Sequence, residues 1–464
     1  MKAWTPERVA AAAGARLITR TTADGPARVS IDSRDVDPGT LFVGLPGSRH
    51  DGGRFATTAL AAGAWGVLAS PAQAEVAAAA QAEDPRAAGV VMAADSPLSA
   101  LQSLATAWRR ELNADVIGIT GSTGKTSTKD LLLALLRPHR RTVASRANFN
   151  TEIGLPLEIL AAPAGTEVLV LEMAMRGPGQ IAELAAIAEP DVGVIVSIGP
   201  VHLELLGTIE DVAAAKAELI AGLAPGKTAI VPANEPLLDT HLRTDTQTIT
   251  FGEQGDIRFT KQSPDAVSID AAGTPVTLDV DFQQAHLRAD LLAAVAGART
   301  LGVTPAGRVT LALSPGRGET IRLAGDITVI DGCYNANPMS MRAALSDLAD
   351  SAARIGAARR VAVLGDMLEL GPDRRDYHLA LGELAQHAGV DLLVTVGPEA
   401  AAIAERFAGE TEVLPDAGTA AQAVPGLLQR GDLVLVKGSL GVGLKAVCTA
   451  LGVGATPARA GDRA

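Results

Sequence analysis

The middle of the chain alternates short, wholly apolar runs with helix-forming stretches. "DVIGIT" (115–120), "EVLVLEMA" (167–174), "VGVIVSIG" (192–199) and "KTAIVPAN" (227–234) are such runs. A strand with one wet face alternates apolar and polar positions, whereas one covered on both faces is continuously apolar. These runs therefore predict a parallel sheet sandwiched by helices. The pattern changes over 245–285, where "TITFG", "IRFTKQ", "AVSID" and "PVTLDVDF" alternate between turn residues and predict a small antiparallel patch. After "LSPGRGE" (313–319) it resets, and "ITVIDGCYN", "RRVAVLGDM", "DLLVTVG" and "DLVLVKGS" predict four more buried strands.

Towards the amino terminus the strand-like pieces are "ARVSIDSRDV", "GTLFVGLPG" and "AWGVLAS", with Ala-rich helical segments between them. "SPLSALQSLATAWRREL" (96–112) carries Leu98, Leu101, Leu104, Trp108 and Leu112 at helical spacing behind a Ser-Pro start. That helix is expected to open a second domain. The expected organisation is α/β in three domains: 1–97, 98–314 around a P-loop-type parallel sheet, and 315–464 as a doubly wound, Rossmann-like unit. A chain of 464 residues suits roughly two to four domains.

Composition narrows the function. Lys plus Arg number 40 against 52 Asp plus Glu, a net charge of −12, which argues against a general nucleic-acid binder. Cys333 and Cys448 are the only cysteines, too few for a disulfide framework or a zinc cluster. The start, "MKAWTPERVAAAAGARL", reads as an amphipathic helix rather than a signal peptide. No apolar run reaches the ~18 residues of a membrane span. A soluble cytoplasmic protein is expected.

The candidate chemistry lies just after the predicted strands. "GITGSTGKTSTK" (118–129) joins a strand to a helix through a Gly-rich loop, whose free N–H groups and helix terminus favour an anion. Lys125 would reach β- and γ-phosphates, and Thr126 would offer a hydroxyl to Mg²⁺. The usual P-loop spacing, however, asks for glycine where Ile119 stands. Glu172 closes a buried strand, where a carboxylate must be paired, with Arg176 as one partner, or bind metal.

The shortened loop, Thr120-Gly121-Ser122-Thr123-Gly124-Lys125-Thr126 followed by Ser127, resembles that of the Mur ligase family of ATP-dependent amide-forming enzymes. The likeness extends over about residues 28–445. "ANFNTEIGLPLEIL" (147–160), "EMAMRGPGQI" (172–181), "GPVHLELLG" (199–207), "DGCYNANPMS" (331–340) and "GDMLELG" (365–371) carry it. The motif through Asp331, Tyr334, Asn335, Asn337, Pro338 and Ser340 resembles the branch that joins D-alanyl-D-alanine to UDP-N-acetylmuramoyl tripeptide.

The resemblance implies a nucleotide site at Thr120 to Ser127, with Asp290, Arg317, Asp331, Tyr334 and Asn335. It implies Lys125, Glu172, His202 and Lys216 as the catalytic set. Two Mg²⁺ ions would be held by Thr126, Glu172, His202 and Lys216, the last as N6-carboxylysine. Ser33, Arg34, Arg49 and His50 would grip the UDP end in an amino-terminal UDP-binding domain. Asn148, Asn150, Thr151, Asn337, Ser340, Asp366, Glu369 and Lys437 would contact substrate. A cytoplasmic monomer of peptidoglycan precursor synthesis follows, serving cell-wall biogenesis, cell shape and division.

Two positions depart from the family pattern. Asp290 replaces the usual Asn, and an ionised Asp cannot donate a hydrogen bond. Leu440 stands where K-G-S-R would place Arg, while Lys437 and Ser439 remain. Two alternatives stay open: a family member adding the third residue or extending folate with glutamate, and a regulatory P-loop ATP-binding protein.

Overall fold

The computed structural model describes residues 1–20, 24–48, 50–84, 88–146, 148–312, 314 and 316–453. Its strands form three sheets. In the first, Arg28–Ser30, Thr40–Val43, Gly66–Ala69 and Val90–Ala93 run parallel in that order, and Arg16–Thr19 closes the far edge antiparallel to Val90–Ala93. Arg16–Thr19 is partly exposed along its length and does not stand out in the hydrophobic pattern, whereas the opposite edge, Arg28–Ser30, lies within the strand-like "ARVSIDSRDV".

The ten-stranded central sheet has a parallel half and a mixed half. Thr142–Ala144, Val168–Glu172, Asp115–Thr120, Val192–Ile195, Thr228–Pro232 and Gln247–Phe251 are successive parallel neighbours. Ile257–Gln262, Ala266–Ala271 and Thr274–Val280 then form an antiparallel meander. The alternating region is thus not a separate patch. Gln247–Phe251, which reads as its first strand, instead pairs parallel with Thr228–Pro232 and carries the sheet across. The four central parallel strands are fully or almost fully buried along their apolar runs, as their composition demands.

The third sheet orders Thr328–Gly332, Asp432–Lys437, Arg359–Gly365, Leu392–Val396 and Glu410–Leu414 in parallel, with Glu319–Arg322 antiparallel at one edge. Glu410–Leu414 escapes the apolar pattern because four of its five residues are exposed.

Helix Pro97–Leu112 ties the first two units together. Its start is capped by Ser96, which accepts from Ser99 N, with Pro97 in the first turn. Leu101, Leu104 and Trp108 lie in one core with Trp4, with Val9 of the first helix, Pro6–Ala12, and with Leu155 and Ile159 of Gly154–Ala161. Trp108 meets Trp4 edge-on at 5.6 Å between ring centroids and donates Nε1–H to Ala162 O at 3.0 Å. Among the described residues, no helix is long and apolar enough to cross a membrane.

Leu104 is fully buried at this junction. Leu104→Ala should destabilise the chain by about 2–5 kcal/mol, the range for an unfilled core cavity. Thermal or urea unfolding checks this, and a variant indistinguishable from the parent would contradict the shared core.

Candidate active site

The phosphate loop follows the central strand Asp115–Thr120. Ile119 is fully buried and paired with Glu172 and Val194 in the neighbouring strands, so it belongs to the strand, and the loop begins after Thr120. Gly124 has φ +80°, and a Cβ there would fall 2.4 Å from Asp290 Oδ1 and 2.7 Å from Val196 Cγ1. Both backbone and space therefore demand glycine. Lys125 opens helix Lys125–Leu136, whose first N–H groups add positive potential. Its Nζ donates to Gly121 O at 2.7 Å. Burial pushes its pKa below the ordinary lysine value, against the attraction of Glu172.

The loop is braced from the side by "VSIG". Ser197 Oγ accepts from Thr123 N at 2.9 Å and donates to Thr123 O at 3.0 Å. Ser122 Oγ donates to Gly199 O at 3.0 Å and accepts from Gly199 N at 2.9 Å. Ser197 was not singled out from sequence, and its only signal there is a short polar residue after a buried strand.

Glu172 is 2% exposed and both its oxygens are engaged. Thr126 Oγ1 donates to Oε2 at 2.7 Å and Asn150 Nδ2 to Oε1 at 2.9 Å. Arg176 is not its partner, since that guanidinium lies 3.6 Å from Glu369 instead. Lys216, on helix Ile209–Ala221, is 3% exposed and has no hydrogen bond or ion pair among the described residues. Desolvation, then repulsion from Lys125, holds its pKa well below the lysine value. His202 places Nδ1 2.5 Å from Glu369 Oε2, and burial lowers its pKa despite that carboxylate.

Lys125, Asn150, Glu172, His202, Lys216 and Glu369 line one cavity of ≈ 930 Å³ between the central sheet and the carboxyl-terminal unit, with Thr126 buried behind Glu172. Arg317, Tyr334, Asn335 and Lys437 line its far wall, with Leu368 and Leu440 also facing it. Arg317 stacks 3.8 Å over the Tyr334 ring. Lys437 Nζ donates to Asn335 O at 2.8 Å, and burial followed by the nearby Arg317 brings its pKa down to about 8. Asn148, Thr151 and Ser127 also line the cavity.

Several expected ligand contacts are used otherwise. Asp331 is fully buried behind the lining, where Lys445 Nζ donates to Oδ2 at 2.8 Å and Cys333 N to Oδ1 at 3.1 Å. Asp366 does not line the cavity, and its Oδ1 accepts from Ala400 N at 2.7 Å. Asn337 and Ser340 reach the cavity but form a capping box on helix Pro338–Ile355, and Asn337 Nδ2 also donates to Ser122 O at 3.3 Å. Glu369 turns to His202. For Asp331, Asp366 and Asn337 the reason is shared, since a short polar side chain at a strand end satisfies nearby backbone as readily as a ligand, whereas Glu369 is claimed by side chains of the central unit. Ser33 is half-buried, Arg34 is forked onto Asp32 in solvent and His50 is exposed, none of them lining the cavity. Arg49 lies outside the described residues.

The donor set fits a nucleotide with a hard divalent cation. Among the described residues Thr120 Oγ1 and Asp290 Oδ2 are buried beside this cavity without a hydrogen-bond partner, although Ser127 lies within reach of the Asp290 carboxyl. Hydroxyl and carboxylate donors suit Mg²⁺ when phosphate oxygens complete the shell, and His202 adds an imidazole nitrogen beside them. An ammonium at Lys216 would oppose a cation, whereas its carboxylated form would support one. Among the described residues the one close cluster of acidic, His or Cys ligand atoms is Asp331, Cys333 and Cys448, and the ammonium of Lys445 already balances it.

Three family models match the chain: the Mur ligase family catalytic domain over 27–109, the Mur ligase middle domain over 119–296 and the Mur ligase glutamate ligase domain over 316–440. The chain is 34% identical to the UDP-N-acetylmuramoyl-tripeptide–D-alanyl-D-alanine ligase of Bacillus subtilis, covering 90% of this chain and 92% of that protein. It is 37% identical to the Mycobacterium tuberculosis enzyme of the same name, covering 91% of each. Among solved structures, MurF from Acinetobacter baumannii superposes with a TM-score of 0.83 at 25% identity, over 97% of this chain and 98% of that one. MurF ligase from Thermotoga maritima in complex with ADP gives 0.77 at 29% identity, over 91% and 96%.

Asp290 supplies a pH test. Burial raises its carboxyl from 3.8 to about 8, so at neutral pH it is an uncharged acid able to donate as Asn would. The folded chain then holds more protons than the unfolded one between those values, so this group's stability contribution falls as pH rises from about 4 to about 8. Asp290→Asn should flatten that slope and raise the melting temperature above pH 8 by more than the ~2–4 °C that ~1 kcal/mol is worth in a domain of this size. Equal melting curves for parent and variant from pH 5 to 9 would show that Asp290 is not held neutral.

Proposed function

The chain belongs to the Mur ligase family, and from that premise we propose that it joins D-alanyl-D-alanine to UDP-N-acetylmuramoyl tripeptide at the cost of ATP. The observation that carries this reading is the convergence of Lys125, the Thr126–Glu172–Asn150 cluster and the buried amine of Lys216 on one cavity. A regulatory nucleotide switch has no use for such a cation-supporting wall opposite a second cationic wall. The enzyme would make a cell-wall precursor in the cytoplasm, where ATP and nucleotide-linked precursors are at hand.

A carboxylate is a poor electrophile. Transfer of the γ-phosphoryl group to one of its oxygens makes an acyl phosphate, and the dipeptide amine then displaces phosphate through a tetrahedral intermediate. The chain's contribution is position and charge. Lys125 and the helix terminus behind it hold the phosphates against the loop. Arg317, stacked on Tyr334, and Lys437 supply cations from the facing wall. Mg²⁺, as two ions held by Thr126, Glu172, His202 and carboxylated Lys216, would neutralise charge between phosphate and carboxylate.

Carboxylation of Lys216 is chemically consistent with its surroundings. The amine is buried and without a partner among the described residues, and burial holds its pKa well below the ordinary lysine value, which makes its lone pair more available to CO₂, giving a carbamate and releasing one proton. We further assign residues 1–97 to the UDP end, 98–314 to ATP and 315–464 to closing the cleft over the reacting groups, in a chain that acts as a monomer.

Purified protein should release phosphate from ATP only when Mg²⁺, the UDP-linked tripeptide and D-alanyl-D-alanine are all present. Turnover driven by glutamate or a diamino acid instead would move the chain to another branch, and ATP hydrolysis indifferent to any amine would sink the reading. Lys125→Ala should lose at least 10²–10³-fold in kcat, as when a main charge-stabilising group is removed. Lys216→Ala should be inactive yet regain partial turnover with added formate or acetate. Absence of rescue across small carboxylic acids would count against the carbamate.

A further inference from the structure

Two non-glycine residues with left-handed backbone meet across the cleft. His202 has φ +55° and Glu369 φ +64°. His enters this region more often than most residues, but Glu does not, so at Glu369 the surrounding structure must impose it, and such strain gathers at functional sites. His202 precedes the short helix Leu203–Leu206 of the central unit, and Glu369 lies 167 residues later in "GDMLELG". They touch twice. His202 Nδ1 is 2.5 Å from Glu369 Oε2, and Glu204 N donates to Glu369 O at 3.2 Å. Arg176 Nε lies 3.6 Å from the other carboxylate oxygen.

The loop that carries Glu369 is itself fixed. Leu368 N donates to Ser439 Oγ at 3.0 Å, and Ser439 N to Asp366 O at 3.0 Å. Met367 N donates to Nε2 of the fully buried His378, whose Nδ1–H is returned to Arg374 O at 2.7 Å. Main-chain atoms of the three residues ahead of Glu369 are thus anchored, and its own carbonyl accepts from Glu204 N, which holds the residue against the His202 turn.

A carboxylate accepts, so His202 must donate from Nδ1–H, which leaves the lone pair on Nε2. No hydrogen bond to Nε2 exists among the described residues, and His202 lines the active cavity. We propose that Glu369 is the positioning residue for His202: it sets the imidazole's tautomer and ring orientation, and because it comes from the carboxyl-terminal unit it makes that setting depend on the unit being seated against the central sheet. This rests on the ligase reading for what Nε2 does next, but not for the tautomer itself. It also gives Asp366 and Ser439 a role, as supports of the loop.

The test uses the full chain labelled with ¹⁵N-histidine, free of metal, plus steady-state kinetics. The resonance lost in His202→Ala identifies His202. In the parent, Nδ1 should carry the proton and Nε2 should be unprotonated. In Glu369→Ala the proton should move to Nε2, the tautomer a neutral imidazole without a partner prefers. In Glu369→Gln, whose amide oxygen still accepts, Nδ1–H should persist. With all substrates present, Glu369→Ala is expected to lose 10–100-fold in kcat, as when an imidazole loses its orienting partner, with KM for the dipeptide within about threefold and Glu369→Gln recovering most of the loss. An Nε2–H tautomer in the parent, or an unchanged Nδ1–H tautomer in Glu369→Ala, would overturn the proposal. If the parent fails to turn over D-alanyl-D-alanine, the ligase reading falls while the tautomer result still decides this one.

Discussion

Two anions must be brought into bonding contact at the head of the central sheet, and that repulsion governs the rest of the architecture. Triphosphate and carboxylate do not approach unless cations surround them and water is kept away. The parallel sheet answers the first need with a strand end, a helix terminus and Lys125 at one point. The third sheet answers the second by facing that point with Arg317, Tyr334 and Lys437 across a cavity shared by both units. Neither wall is a complete site alone.

The same demand explains the unusual ionisable groups. Lys216 is buried as an amine without a partner among the described residues, and burial holds its pKa well below the lysine value. Asp290 is buried as an acid held neutral, and a charge there would sit beside the phosphate loop at Gly124. Lys437 is held near neutrality's edge by burial and by Arg317. Burial tunes each of them, and the cavity is where burial and charge meet.

Much of this is legible in the sequence where local rules dominate. Continuous apolar runs marked the central strands because both their faces are covered, and Ile119 marked the end of one strand rather than a defect in the loop. The likeness in short motifs placed Lys125, Glu172, His202 and Lys216 at one cavity, where the structure has them. What fails is whatever depends on distant packing. Asp331, at the end of its strand, and Asp366 and Asn337, after theirs, stand where ligands would, but backbone and Lys445 claim most of their polar atoms. The pairing of His202 with Glu369 spans 167 residues and exists only because two units dock. Glu410–Leu414 is an exposed edge without an apolar signature.

The central claim is that this cavity activates a carboxylate by phosphorylating it. The direct measurement is isotope transfer: tripeptide with ¹⁸O in its free carboxylate is turned over with ATP and D-alanyl-D-alanine, and the released phosphate is analysed by mass spectrometry. If one carboxylate oxygen becomes the bridge of an acyl phosphate, each phosphate carries one ¹⁸O. Phosphate free of label, formed together with the amide product, would contradict the account.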